Sequence, residues 1–63
     1  RSHLNRIMEE RGITIRVLVE KTGVSSATIQ KARDHRIEFC RVWSLKKIAD
    51  ALGVSISDIL WED

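Results

Sequence analysis

Side chains able to bind a polyanion are concentrated in residues 15–34. The apolar residues Ile29 and Ala32 share one side of a short predicted helix, and no acidic residue occurs on the opposite side before Asp34. Hydroxyl, amide and cationic groups can hydrogen-bond both the edges of bases and the oxygens of phosphates. The pattern therefore predicts an outward surface formed by Ser26, Ala27, Gln30, Lys31 and Arg33.

Two short helices and a tight turn are predicted to hold this surface in position. The first helix covers about residues 15–22, and Gly23 ends it because glycine adopts a left-handed conformation without a Cβ clash. Val24 is predicted to fill the corner. Ser25 can cap the second helix, at about 26–33, by accepting a hydrogen bond from a backbone N–H. Two helices joined in this way form a helix-turn-helix arrangement.

Catalytic and metal chemistry have weaker support in the sequence. Ser25, Asp34 and His35 include the residue types of nucleophilic catalysis, but Ser25 is already explained as a cap, and a chain this small is not expected to hold a substrate pocket. His35 and Cys40 are too few for a zinc site. We therefore predict no enzymatic activity, no metal and no cofactor.

Length and charge narrow the function classes further. The chain has 63 residues and a net charge of +2, so we predict one domain, 1–63, with its motif at about 15–34. Residues 1–47 carry all 11 Lys and Arg but only five of the nine acids, so their net charge is +6, whereas residues 48–63 carry the other four acids. A basic body suits a polyanionic partner. No apolar run approaches the roughly 18–20 residues that span a membrane.

Three further helices are predicted at 3–11, 42–52 and 56–61, which gives an all-α fold of five helices. The predicted stops and caps are Gly12, Thr14, Gly53 and Ser55, the last paired with Asp58 in a capping box. The apolar side of the fourth helix, which is predicted to be buried, consists of Val42, Leu45, Ile48, Ala49 and Leu52.

Residues 34–41 are predicted to form the longest loop. The alternation of Ile37, Phe39 and Arg41 allows a short extended piece, and Phe39 is predicted to anchor the loop on the core. Trp61 is predicted to close the core, with a dimer contact as the alternative. The single cysteine fits a reducing, cytosolic setting.

Two segments carry a family resemblance, GITIRVLVEKTGVSSATI and SLKKIADALGVSISDIL. Over about residues 4–60 the chain resembles the phage-repressor (Cro and lambdoid repressor) type of helix-turn-helix transcriptional regulator, also called the xenobiotic-response-element family. The resemblance implies a five-helix domain that binds double-stranded DNA, usually as a homodimer on a partly palindromic operator. It also implies a repressor acting in the cytoplasm, encoded by a bacterium or a phage.

The same resemblance implies roles for individual positions. The base-contacting positions of the family correspond to Ser26, Ala27, Gln30 and Lys31. Its phosphate-contacting positions correspond to Ser25, Thr28, Arg36 and Arg41, and we expect Arg33 to support them.

A protein-interaction module of the same fold, such as an antitoxin or anti-repressor, is the alternative. Many family members have glutamine where this chain has Ile15, so one phosphate contact is missing. Val17 is predicted to be an exposed β-branched residue, which suits a protein contact. The acidic end, residues 48–63, also favours this alternative.

Overall fold

Several helix boundaries in this chain coincide with capping residues or glycines. The computed structural model describes residues 3–60, and within that range it contains five α-helices, one 3-10 helix and no strand. The α-helices are α1 (Leu4–Arg11), α2 (Ile15–Thr22), α3 (Ser26–Ala32), α4 (Val42–Leu52) and α5 (Ile56–Leu60), and the 3-10 helix covers His35–Phe39. The predicted all-α fold is confirmed.

Three glycines end three of these helices, as predicted. Gly12, Gly23 and Gly53 follow α1, α2 and α4 with φ of 64°, 74° and 70°, a left-handed conformation that costs other residues energy. The capping box of α5 is also confirmed: Ser55 N donates to Asp58 Oδ2 at 2.9 Å, and Asp58 N donates to Ser55 Oγ at 3.3 Å. These backbone and hydroxyl donors lower the pKa of Asp58.

One hydrophobic core is shared by all the helices. Its fully buried large side chains come from every segment: Leu4, Met8, Leu18, Ile29, Ile37, Ile48 and Ile59. Each such side chain contributes roughly 1.5–3 kcal/mol through burial. α1 packs on α5, and the backbone N–H of His3 donates to Ile59 O at 3.0 Å. The two ends of the described chain therefore meet, while α2 packs on both α3 and α4.

The segment between α3 and α4 differs from its prediction. It forms the 3-10 helix rather than an extended piece, because Asp34 caps it by accepting a hydrogen bond from Arg36 N at 2.7 Å. The 3-10 helix packs on α3 and buries Ile37, whereas Phe39 is 78% exposed. The prediction that Phe39 anchors the loop on the core is therefore wrong, since Ile37 occupies that role.

The buried stripe of α4 also begins later than predicted. Val42 is 69% exposed, so its assignment to the core is wrong, while Leu45, Ile48, Ala49 and Leu52 are buried as predicted. The buried side of α4 therefore begins at Ser44 and Leu45, and the first two residues of the helix lie outside the core. Predictions for Trp61 fall outside the described residues.

Candidate nucleic-acid interface

The corner between α2 and α3 is closed by Thr22 as well as by Gly23. Thr22 Oγ1 donates to Leu18 O at 2.6 Å and accepts from Val24 N at 3.1 Å, and Gly23 N donates to Val19 O at 2.9 Å. Val24 is 4% exposed and fills the corner, as predicted. The hydroxyl of Thr22 thus links the last turn of α2 to Val24 in the corner. This contact was not predicted from the sequence.

Two hydroxyls meet at the N-terminus of α3. Ser25 Oγ accepts from Thr28 N at 3.3 Å, so its predicted capping role is confirmed, and it also donates to Thr28 Oγ1 at 3.0 Å. Ser25 is exposed and Thr28 is half-buried. These two predicted phosphate contacts therefore lie together, on the end of the helix that carries partial positive charge.

The opposite sides of α3 differ sharply in burial. Ile29 and Ala32 are completely buried, and the four predicted base-contacting residues are all exposed. We call these four residues the reading surface: Ser26, Ala27, Gln30 and Lys31. Neither Gln30 nor Lys31 makes a side-chain hydrogen bond or ion pair with any residue of the range 3–60. Both side chains are free to bind a ligand.

Arg33 lies at the C-terminal end of α3 and turns towards α1. Its Nε donates to Asn5 Oδ1 at 2.9 Å, and its Nη2 donates to the same oxygen. Asn5 is a neutral acceptor, so the positive charge of Arg33 is not neutralised by this contact. The bond links α3 to α1 across 28 positions of the sequence, a distance over which sequence patterns do not predict contacts.

Arg36 is paired with an acid. Its Nη2 lies 2.8 Å from Asp34 Oδ2, and its Nε lies 3.1 Å from the same oxygen. The Arg36 side chain, followed by its backbone N–H, lowers the pKa of Asp34 from 3.8 to about 2, and Asp34 in turn raises the pKa of Arg36. The charge of Arg36 is thus partly compensated before any ligand binds.

A groove lies on each side of α3. The first has a volume of about 400 Å³, and its polar lining includes Ser25, Thr28, Lys31 and Arg41. The second has a volume of about 380 Å³ and is lined by Asn5, Ile15, Gln30, Arg33, Asp34 and Arg36. The structure therefore divides the predicted phosphate contacts into two sets, one on each flank of the helix.

Cys40 closes part of the first groove. Its Sγ lies 3.7 Å from Thr28 O, and burial raises the pKa of the thiol, which leaves it protonated and weakly nucleophilic at neutral pH. Among the described residues no group of three or more His, Cys, Asp and Glu side chains could hold a metal ion. Within the same range no helix is long and apolar enough to cross a bilayer.

A short polar helix, held outward by a closed corner and flanked by cations, defines the helix-turn-helix class of DNA-binding domains. The comparison with family models agrees: residues 3–61 match the Cro/C1-type HTH DNA-binding domain, and the chain belongs to that family. The family is one of DNA-binding regulators and is generally non-enzymatic. No curated protein and no solved structure gives a significant match.

Proposed function

We propose that the chain is a transcriptional regulator that binds double-stranded DNA sequence-specifically, with α3 in the major groove. The observation that carries this proposal is the pair of grooves beside α3, which hold Lys31 and Arg41 on one flank and Arg33 and Arg36 on the other. A helix in the major groove lies between two phosphate strands, since that groove is about 12 Å wide. Cations on both flanks suit this position.

Base contacts would come from the reading surface. The Gln30 amide can form a bidentate pair with adenine, and Lys31 can donate to O6 and N7 of guanine. Ala27 suits contact with a thymine methyl, and the Ser26 hydroxyl can serve either a donor or an acceptor on a base edge. Exposure of all four side chains supports these roles.

Phosphate contacts would come from the two groove linings. Ser25 and Thr28 present hydroxyls at the N-terminus of α3, and Arg41 adds a charge with no hydrogen-bonding or ionic partner among residues 3–60. On the opposite flank Arg33 keeps its full charge, because its contact Asn5 is neutral. Arg36 must share its charge with Asp34, so we expect its contribution to be smaller than that of Arg41.

A homodimer on DNA is the expected binding form. α3 has only seven residues, so one copy reads few base pairs, and two copies about one helical turn apart are needed for useful specificity. Repression by blocking a promoter is the outcome we propose for such a dimer.

Salt-dependent affinity measured by fluorescence anisotropy tests the proposal. On a duplex selected from a random pool, Arg41→Ala should weaken binding to all sequences and reduce the slope of log affinity against log salt by about one. Lys21→Ala is the matched control, because this α2 cation lies outside both grooves. If no duplex is selected, or if both variants behave alike, the proposal fails and the protein-interaction alternative takes its place.

A further inference from the structure

Two exposed aromatic side chains line the first groove. Phe39 is 78% exposed and Trp43 62%, and we call these two residues the aromatic patch. The chain contains one Phe, two Trp and no Tyr. Two of its three aromatic rings are therefore held in solvent on one side of the molecule, where burial would otherwise stabilise the fold. Exposed apolar surface of this kind marks a binding site.

The surroundings of the aromatic patch are cationic. Among residues 3–60, the groove that the patch lines contains the cation Arg41 and no Asp or Glu, although Glu38 directly precedes Phe39 in the sequence. Lys31 lies across the groove that Phe39 and Trp43 line. A partner for this surface must therefore combine negative charge with flat apolar groups.

The geometry of Trp43 narrows the choice of partner. Lys47 Nζ lies 4.5 Å from the centre of the Trp43 ring, so a cation covers one face of the ring through a cation–π contact. With 62% of the residue exposed, the ring retains open surface for a second flat group. A ring steadied in this way loses little conformational freedom when that group stacks on it.

Self-association fits this surface poorly. Two copies of one patch would bring their cations together, and like charges repel. Two rings, at about 150–250 Å² each, supply only part of the roughly 800 Å² that each partner of a stable protein–protein interface buries. Duplex DNA can contact the cations of this groove but cannot stack on the two rings, since its base faces are stacked inside the helix.

We propose that the aromatic patch binds single-stranded DNA, by stacking unpaired bases on Trp43 and Phe39 while Arg41 and Lys31 contact the phosphates. Aromatic rings set in a cationic groove are the features that bind single strands with little sequence preference. The groove also holds Ser25 and Thr28, which are expected to contact duplex DNA, so one copy of the chain would bind either a duplex or a single strand at this groove. This inference goes beyond the proposed function and does not depend on sequence-specific binding.

Fluorescence titration of the full chain tests the inference. In a Trp61→Phe background Trp43 is the only tryptophan. We expect a thymine oligonucleotide of about 12 nucleotides to quench the fluorescence of Trp43. In an anisotropy assay with a labelled oligonucleotide, Trp43→Ala and Phe39→Ala should each weaken binding about tenfold or more. Trp43→Phe should restore most of the affinity lost in Trp43→Ala. Val17→Ala is the matched control, because it truncates an exposed apolar residue on α2.

Competing outcomes separate the sources of binding. An abasic oligonucleotide of equal length should bind weakly and equally to wild type and Trp43→Ala. Equal affinity for the abasic and thymine strands would overturn the claim that bases stack on the patch. Unchanged affinity of the alanine variants for the thymine strand would also overturn it. Binding of uridine RNA at least tenfold more tightly than thymine DNA would overturn the assignment to DNA. A dimer in sedimentation that is lost in Trp43→Ala would show that a second copy covers the patch and would also overturn it.

The proposed duplex function is tested separately by the same variants. Trp43→Ala and Phe39→Ala should keep most of their affinity for the selected duplex, because neither residue belongs to the reading surface. Lys31→Ala should lose its preference at one base pair in each half-site of that duplex. A chain that binds the duplex but not the single strand would refute only the present inference, and the opposite result would refute only the proposed function.

Discussion

Replacing Asn5 with alanine tests the bond that ties α3 to α1. Asn5 Oδ1 accepts two hydrogen bonds from the Arg33 guanidinium, with the Nε donor at 2.9 Å. Hydrogen bonds to charged groups contribute about 1.5–3 kcal/mol when buried. Both residues are only half-buried, so water can replace the lost partner, and we expect a cost near 1 kcal/mol.

The change in stability of Asn5→Ala alone will be somewhat smaller. Alanine favours a helix by about half a kcal/mol relative to asparagine, and this gain offsets part of the loss. The net destabilisation of about 0.5 kcal/mol should lower Tm by about 2–4 °C, because a domain of this size changes by about 4–8 °C per kcal/mol. Thermal unfolding followed by circular dichroism measures this shift.

A double-mutant cycle with Arg33→Ala removes the helix-propensity contribution. We expect a coupling free energy of about 1 kcal/mol between positions 5 and 33, well above the roughly 0.3–0.5 kcal/mol scatter of independent sites. Additive effects would refute the reasoning, since they would mean that the bond contributes nothing. Salt-dependent DNA binding then separates the two roles of Arg33: Asn5→Ala should leave the salt slope unchanged, whereas Arg33→Ala should reduce it by about one if Arg33 contacts phosphate.

Two further predictions concern the ends of α3. Ser25→Ala should cost about 1 kcal/mol in the free energy of unfolding, because it removes a helix cap; Ser26→Ala, one residue further along and outside the cap, should change it by less than about half of that. Asp34→Asn should raise affinity for all duplexes and increase the salt slope, because Arg36 gains a full charge for phosphate. The pH dependence checks the same pair. The lowered pKa of Asp34 means that its contribution to stability is complete above the ordinary pKa of 3.8 and is lost as the pH falls through about 2. The free energy of unfolding of Asp34→Asn should therefore fall less than that of the wild type as the pH drops from 3.8 to about 2. The same pH dependence in both proteins would contradict the ion pair.

Local signals explain why most of the fold could be predicted. The stops at Gly12, Gly23 and Gly53 and the caps at Thr14 and Ser25 act within one turn of the chain, and all five are present. Such residues set helix ends through their own backbone geometry or short side chains. Tertiary packing therefore did not have to be known before they could be assigned.

The segment after α3 could not be predicted in the same way. It offers three apolar residues, Ile37, Phe39 and Cys40, without a period that selects one of them for burial. The choice depends on how the 3-10 helix lies on α3, which is a tertiary contact. Phe39 was predicted to anchor the loop, whereas the packing buries Ile37.

Part of the candidate site could be predicted because its signals are local. Helical spacing places Gln30 and Lys31 opposite Ile29 and Ala32, and the exposure of these residues agrees. The contact of Arg33 with Asn5 spans 28 positions, so no local sequence pattern predicts it. Asp34 is the neighbour of Arg33 in sequence, yet it pairs with Arg36 at 2.8 Å, because Arg33 turns towards Asn5.

Base preference measured by selection from a random duplex pool is the most direct test of the reading surface. For the wild type we predict enrichment of two half-sites whose centres lie about 10 base pairs apart. For Lys31→Ala we predict the loss of preference at one base pair in each half-site, equivalent to about 1–3 kcal/mol, with the other positions kept. Lys31 forms no side-chain bond within residues 3–60, so the substitution should leave the fold intact. The same preference at every position in wild type and variant would contradict the claim that α3 reads the bases.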